Sequence, residues 1–301
     1  MTLRVIDPGL YTLVVDGGRP ASRSLGVPVS GAADRTSLAL GNALLDNPPE
    51  AAALEITLSG PTLVAEAMVA CACWGAPFPL ASDRQGLRVG RTFTLAAGEQ
   101  LHIGSAAEGM RGYLCVRGGF DLPLILGSRS GFEPLRAGVQ LPCSPSATRA
   151  RFLGTPHRNS GRPIVLRALA GAQADWFRTE QFYGRPFRVS PASNRMGLRL
   201  RGEPLDVPDR ELLSEPVCPG SVQVTRDSQC IVLGVDGQTI GGYPKIAQVI
   251  TADLDRVGQL RPEDELRFTL VTLEEAEQLQ HSQRRELLNW LTRLRETAGD
   301  L

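Results

Sequence analysis

SVQVTRDSQCIVLG, Ser221 to Gly234, sets two short apolar runs on either side of polar turn residues. The same pattern recurs in ALEITLSGPTLVAE (Ala53–Glu66), RTFTLAAGEQLHIG (Arg91–Gly104), GYLCVRGGFDLP (Gly112–Pro123), RPIVLRALAG (Arg162–Gly171) and DELRFTLVTL (Asp264–Leu273). Glycine (32 residues) and proline (22) punctuate these runs. Short extended segments bounded by turn residues indicate antiparallel sheet in barrels or sandwiches rather than alternating strand and helix. The expected fold class is therefore mainly β.

Helices are few. Asp34 can N-cap DRTSLALGNALLDN, which Asn47 and Pro48 stop. A second short helix is predicted over AQADWFRTEQFYG, Ala172 to Gly184. The last is the clearest: Thr272 and Glu275 form a capping-box pattern, and Leu273, Ala276, Leu279, Leu287, Leu291 and Leu294 trace an apolar stripe. The linker-like GTPHRNSGRP, Gly154 to Pro163, suggests a division into two regions, 1–160 and 161–301, between which strands can cross.

The 301 residues carry 32 acidic and 32 basic side chains, and 42% of them are hydrophobic. Such a chain can bury a real core, and nothing in it concentrates basic residues with aromatics, which argues against nucleic acid. No stretch approaches the length of an apolar membrane span, and MTLRVIDPGLYTLVVDGGRP has Asp7 and a Pro-Gly pair where a signal peptide needs an unbroken apolar core. A cytosolic (cytoplasmic) location is expected. The six cysteines lack paired metal spacing and read as reduced thiols, with Cys71 and Cys73 sent to one face by strand alternation; the three histidines are dispersed. No metal centre is expected.

Lys245 is the only lysine, set against 31 arginines (32 − 1). It lies in GVDGQTIGGYPKIAQ, Gly234 to Gln248, where Gly241 and Gly242 permit close backbone approach while Asp236, Gln238, Thr239 and Lys245 offer charge and hydrogen bonds. A compact ammonium retained among arginines suggests a point charge put to use. Two further segments suit a small anionic or amide substrate. GVPVSGAAD, Gly26 to Asp34, sets Ser30 and Gly31 just before a helix start, which is also what a plain capping turn requires. SPASNRMGLRL, Ser190 to Leu200, joins the amide of Asn194 to Arg195, which could fork onto a carboxylate or lie on the surface after an Asx turn. The lysine follows Pro244 and precedes Ile246, so there is no Walker A loop, and no G-x-S-x-G elbow occurs.

These segments, in order, resemble a family that includes the C subunit of 5-oxoprolinase, KipA, allophanate hydrolase subunit 2 and part of the carboxyltransferase domain of urea carboxylase. The resemblance runs through PGLYTLVVDGGRP (from Pro8), LGVPVSGAADRTSLALGNALLDNP, ALEITLSGP, RGYLCVRGGFDLPLILGSRS, RVSPASNRMGLRLRG and the long block from Ser214 to Pro262. The family's VP-x-SGA-x-D, SP-x-S-[DN]-R-M-G and GGYPK patterns fall on Val27–Asp34, Ser190–Gly197 and Gly241–Lys245. The chain departs from the family at Leu13–Val15, where relatives commonly have Thr-Val-Gln before the aspartate, and at Gly131, where a threonine is usual. It also departs in the weakly matching FEPLRAGVQLPCSPSATRARF that follows.

The resemblance implies two cyclophilin-like β-barrels with a few short helices and a C-terminal helix. It also implies a smaller B-type (KipI or allophanate hydrolase subunit 1-like) partner and, in 5-oxoprolinase, an A-type subunit. The function it implies is that of the C-type member of a complex that converts 5-oxo-L-proline to L-glutamate with ATP hydrolysis, the chain being inactive or nearly so alone. Its alternatives are a carboxyltransferase for a urea-like acceptor, which would need biotin on another protein, and a KipA-like regulator that sequesters a KipI-like kinase inhibitor. Lys245 and Asp236 would be catalytic, with Asp236 orienting the lysine. Asn194 and Arg195 would hold a carboxylate, and Gln238, Thr239, Gly241, Gly242, Tyr243, Ser30, Gly31 and Asp34 would line the site. No site for ATP is identifiable in the chain.

Overall fold

The computed structural model describes residues 2–154 and 164–296. The chain forms two compact units that are not contiguous in sequence: Met1–Gly18, Asp34–Pro156 and Glu286–Leu301 make the first, and Arg19–Ala33 and His157–Arg285 the second. The expected division at 160/161 lies outside the described residues.

Two antiparallel sheets build the first unit. One has six strands, in the order Gln140–Pro142, Thr2–Asp7, Thr62–Ala65, Gln100–Ile103, Leu80–Ser82 and Gly86–Leu87. The other has five, in the order Tyr11–Val15, Ala53–Thr57, Arg111–Val116, Val69–Gly75 and Thr92–Leu95. Leu3, Val5, Leu63 and Leu101 from the first sheet and Leu54, Ile56, Cys71, Cys73, Leu114 and Val116 from the second meet in one core, so this unit is two sheets packed over a common interior. Burial pushes the Cys73 thiol up to about 12 and raises that of Cys71, which keeps both protonated. Cys218 is the exposed cysteine, and all six are free thiols.

The second unit closes completely. Its seven-stranded barrel runs Ile164–Ala170, Lys245–Val249, Ser221–Val224, Cys230–Leu233, Gly197–Arg201, Phe187–Val189 and Glu265–Leu270, the last strand pairing parallel with the first. Closure removes sheet edges, and the interior fills with Leu166, Val222, Val224, Val232, Ile246 and the stacked rings of Phe182 and Phe268, 4.5 Å apart.

Helix α1 (Arg35–Leu44) begins where expected: Asp34 Oδ1 accepts from Ser37 N at 2.9 Å, and Oδ2 accepts from the Ser37 hydroxyl. A short α2 spans Leu254–Gln259. Helix α3 (Leu273–Glu296) carries both bonds of its capping box, Thr272 N to Glu275 Oε2 at 2.7 Å and Glu275 N to Thr272 Oγ1 at 3.2 Å. Ala276 and Leu279 in its first half pack on Ile250 and Ala252 of the second unit. The helix predicted over Ala172–Gly184 is instead two 3₁₀ turns, Ala174–Trp176 and Thr179–Gln181. Phe177 and Phe182 both enter the barrel core. Five residues apart, they would stand about 140° apart around one helix and could not share a buried face. Their burial overrides the helical pattern. No described helix is long and apolar enough to cross a membrane.

Candidate functional site

The site begins with a strand irregularity. Ser221–Val224 and Lys245–Val249 pair antiparallel, Val222 opposite Ala247, and a register shift then sets Gln223 opposite Lys245. Val222 and Val224 point into the barrel, so alternation sends Gln223 to the outer face, and pairing puts Lys245 beside it. Outer-face residues are ordinarily wet, yet Gln223 is 1% exposed and Lys245 7%. A two-stranded ribbon, Glu215–Pro216 with Ile240–Gly241, accounts for part of that cover. A Cβ on Gly241 would overlap the Gln223 amide nitrogen.

Lys245 Nζ forms an ion pair with Glu215. Gln173 braces the pair: its Nε2 donates to Glu215 Oε1 at 2.8 Å, and its Oε1 accepts from Lys245 N at 3.0 Å. The bonds from Lys245 and Gln173 hold the Glu215 carboxyl below its usual value, so Glu215 is a carboxylate at neutral pH. Gln238 is exposed and donates through Nε2 to Gln223 Oε1 at 3.2 Å, while the buried Thr239 offers its carbonyl to Val217 N. Gly242 and Tyr243 are exposed or partly exposed at the mouth of the ribbon.

A second cluster in the same unit joins the other two motifs. Arg195 donates from Nε to Asp236 Oδ2 at 2.6 Å and from Nη2 to the Gly31 carbonyl at 2.7 Å. Ser30 N donates to the Val235 carbonyl at 2.9 Å, and Asp236 N to the Arg195 carbonyl at 3.2 Å. Gly234 must be glycine here, because a Cβ would run into the Arg195 carbonyl. Ser30 (φ 55°) and Gly31 (φ 78°) are consecutive left-handed residues, and the fully buried Ser30 hydroxyl has no hydrogen-bond partner. A non-glycine residue held there stores strain of a kind that clusters at functional turns.

This arrangement revises two expected roles. Asp236 orients Arg195, not Lys245; the lysine's carboxylate is Glu215. The expected place of Arg195 is on a substrate carboxylate, but the side chain is buried and uses its fork to tie Asp236 to the Ser30–Gly31 turn. Asn194 forms an Asx turn, its Oδ1 accepting from Met196 N at 2.9 Å and Gly197 N at 3.3 Å. Asp34 belongs to the first unit, where it caps α1 and its own N–H donates to the Tyr113 hydroxyl. Sequence reasoning missed Glu215, Gln173 and Gln223. A glutamine between two valines is ordinary strand alternation, and only burial of the outer face makes it unusual. Among the described residues no three of His, Cys, Asp and Glu converge as metal ligands.

Known proteins are similar to this chain in sequence and in fold. The family described as carboxyltransferase domain, subdomain A and B, matches residues 25–270. The chain is 38% identical to the 5-oxoprolinase C subunit of Escherichia coli (strain K12), over 96% of this chain and 98% of that protein. It is 35% identical to the 5-oxoprolinase C subunit of Haemophilus influenzae, over 91% and 93%. The crystal structure of the K. lactis urea amidolyase superposes with a TM-score of 0.88 at 27% identity; it covers 96% of this chain, which spans only 20% of that one. The chain therefore belongs to the carboxyltransferase domain family, subdomains A and B.

Proposed function

We propose that this protein is the C subunit of a cytosolic, ATP-dependent 5-oxoprolinase that opens 5-oxo-L-proline to L-glutamate together with A-type and B-type subunits. The observation that carries this reading is the degree of likeness: the chain is 38% and 35% identical to the two 5-oxoprolinase C subunits and 27% identical to the urea amidolyase structure. Ring opening breaks the lactam C–N bond, adds the oxygen of water to the carbonyl carbon and returns a proton to nitrogen. Charge develops on the carbonyl oxygen, and a compact ammonium fixed beside it lowers that barrier. Lys245, held by Glu215 and Gln173, is suited to that task. Arg195 and Asp236 hold the Ser30–Gly31 turn, and Gly242, Tyr243 and Gln238 are exposed to solvent, where a substrate could meet them. ATP is used by the assembly, at a site this reading does not place in the chain.

The test is reconstitution. Glutamate release from 5-oxo-L-proline should require ATP and all three subunits, and the chain should co-elute with its B-type partner at micromolar concentration. A complex that leaves 5-oxo-L-proline untouched but carboxylates urea would favour the carboxyltransferase reading, to which the likeness to the urea amidolyase structure points.

A further inference from the structure

We propose that Gln223 reads the substrate: its Nε2 donates to the carbonyl oxygen of an amide-type ligand held beside Lys245, and Gly241 lacks a side chain so that this amide keeps its place. The inference rests on the reading of the Lys245 pocket as the substrate site. Gln223 Nε2 is a buried donor with no partner in the chain. Buried polar groups are almost always satisfied, so a fixed donor left open beside a charged pair is a place where a ligand can supply the acceptor. Gln223 is fixed at both ends. Its backbone lies between Ile231 and Lys245 in a closed barrel, and its Oε1 takes the bond from Gln238.

Four positions close a ring around the open donor. Gln223 stands opposite Lys245, Lys245 pairs with Glu215, Glu215 stands opposite Gly241, and Gly241 abuts the Gln223 amide. The chemistry selects the ligand group. Nε2 donates only and carries no charge, which suits a neutral carbonyl oxygen, while the neighbouring ammonium supplies charge as that oxygen becomes anionic. A lactam and a urea share this carbonyl, so the same amide would serve either substrate.

Two measurements decide it. In the full chain, the Gln223 side-chain N–H signals, identified by their loss in Gln223→Met, should shift on titration with 2-pyrrolidinone, which has the ring carbonyl and no carboxylate. They should stay in place with L-proline, which has the carboxylate and no ring carbonyl. No shift with 2-pyrrolidinone, or an equal shift with L-proline, overturns the proposal. In the reconstituted complex, Gln223→Met should raise KM for 5-oxo-L-proline about tenfold without lowering the melting temperature, the loss expected for one hydrogen bond. Gly241→Ala should do the same by displacing the amide. Gln223→Glu, which keeps the size and removes the donor, replaces the methionine variant in both experiments if that variant does not fold. A wild-type KM in these variants beside an inactive Lys245→Ala would overturn the role of Gln223 and leave the functional reading standing. A wild-type complex inert on 5-oxo-L-proline, with the 2-pyrrolidinone shift intact, would do the reverse.

Discussion

Each unit holds a charged network, and the two networks are finished differently. In the first, Arg111 Nε donates to Glu55 at 3.1 Å, the Tyr113 hydroxyl donates to the other Glu55 oxygen at 2.8 Å, and that hydroxyl accepts from Asp34 N at 2.8 Å. None of these four side chains has a buried atom left open, although the hydroxyl of Thr57, opposite Arg111 in the sheet, is unpartnered; burial together with the charges of Glu55 and Asp34 raises the Tyr113 hydroxyl well above its ordinary value, so it remains a donor. In the second, Lys245 pairs with a Glu215 that keeps partial exposure, the Gln223 amide beside them stays unpartnered, and in the separate Arg195 cluster so does the Ser30 hydroxyl. A closed network fixes a fold. An open one costs stability and is retained where something else completes it.

The largest expected effect tests the closed network. Glu55→Gln removes the buried carboxylate that pairs with Arg111 and should destabilise the protein by about 3–5 kcal/mol, read by denaturant unfolding. Turnover per folded molecule should be unchanged. A loss of turnover with stability intact would erase the distinction between the two networks.

The next effect lies in the open network. Lys245→Ala should lower turnover of the reconstituted complex by about 10²-fold, and Lys245→Arg nearly as much, because the planar fork cannot occupy the point that a compact ammonium fills against Glu215. Melting temperatures should fall only modestly, since Glu215 retains access to water once its partner is gone. An arginine variant with wild-type turnover would make the lone lysine an accident of composition.

A smaller effect separates strain from function. Ser30→Gly releases the left-handed strain and should stabilise the chain by about 1 kcal/mol, while removal of the unpartnered hydroxyl lowers turnover. A rise in stability with unchanged turnover would assign the turn a purely structural role.

The smallest is electrostatic. The Glu215 carboxyl lies below its ordinary value of 4.5 because Lys245 and then Gln173 bond to it. A lowered folded value contributes stability above the unfolded pKa that is lost as pH falls through the folded one, so the pair should hold at neutral pH and open in acid. A carboxyl titration by NMR should show Glu215 returning toward 4.5 in Lys245→Met. In the first unit Asp16 is also lowered: burial raises it, but bonds from the Ser128 and Ser130 hydroxyls and the Arg129 and Gly18 amides outweigh burial.

Much of the fold was legible locally. Asp34 as a cap, the Thr272–Glu275 box and the extended runs depend on residues a few positions apart, where side chain and backbone interact whatever the tertiary context. The predicted helix at Ala172–Gly184 failed because Phe177 and Phe182 answer to the barrel core rather than to the local pattern. The site was legible as residue types. Ser30, Gly31, Arg195 and Asp236 do meet, although they come from three distant stretches of the chain, but their pairing had to be reassigned.

By itself, the sequence determined the mainly β class, the terminal helix and the three motifs, with one lysine among arginines. Only the tertiary structure decided which carboxylate that lysine meets, because the choice between Asp236 and Glu215 turns on a register shift at Gln223 and on a short ribbon laid over the barrel's outer face. Charge pairing falls off within a few ångströms and burial is collective, so neither can be read from spacing along the chain.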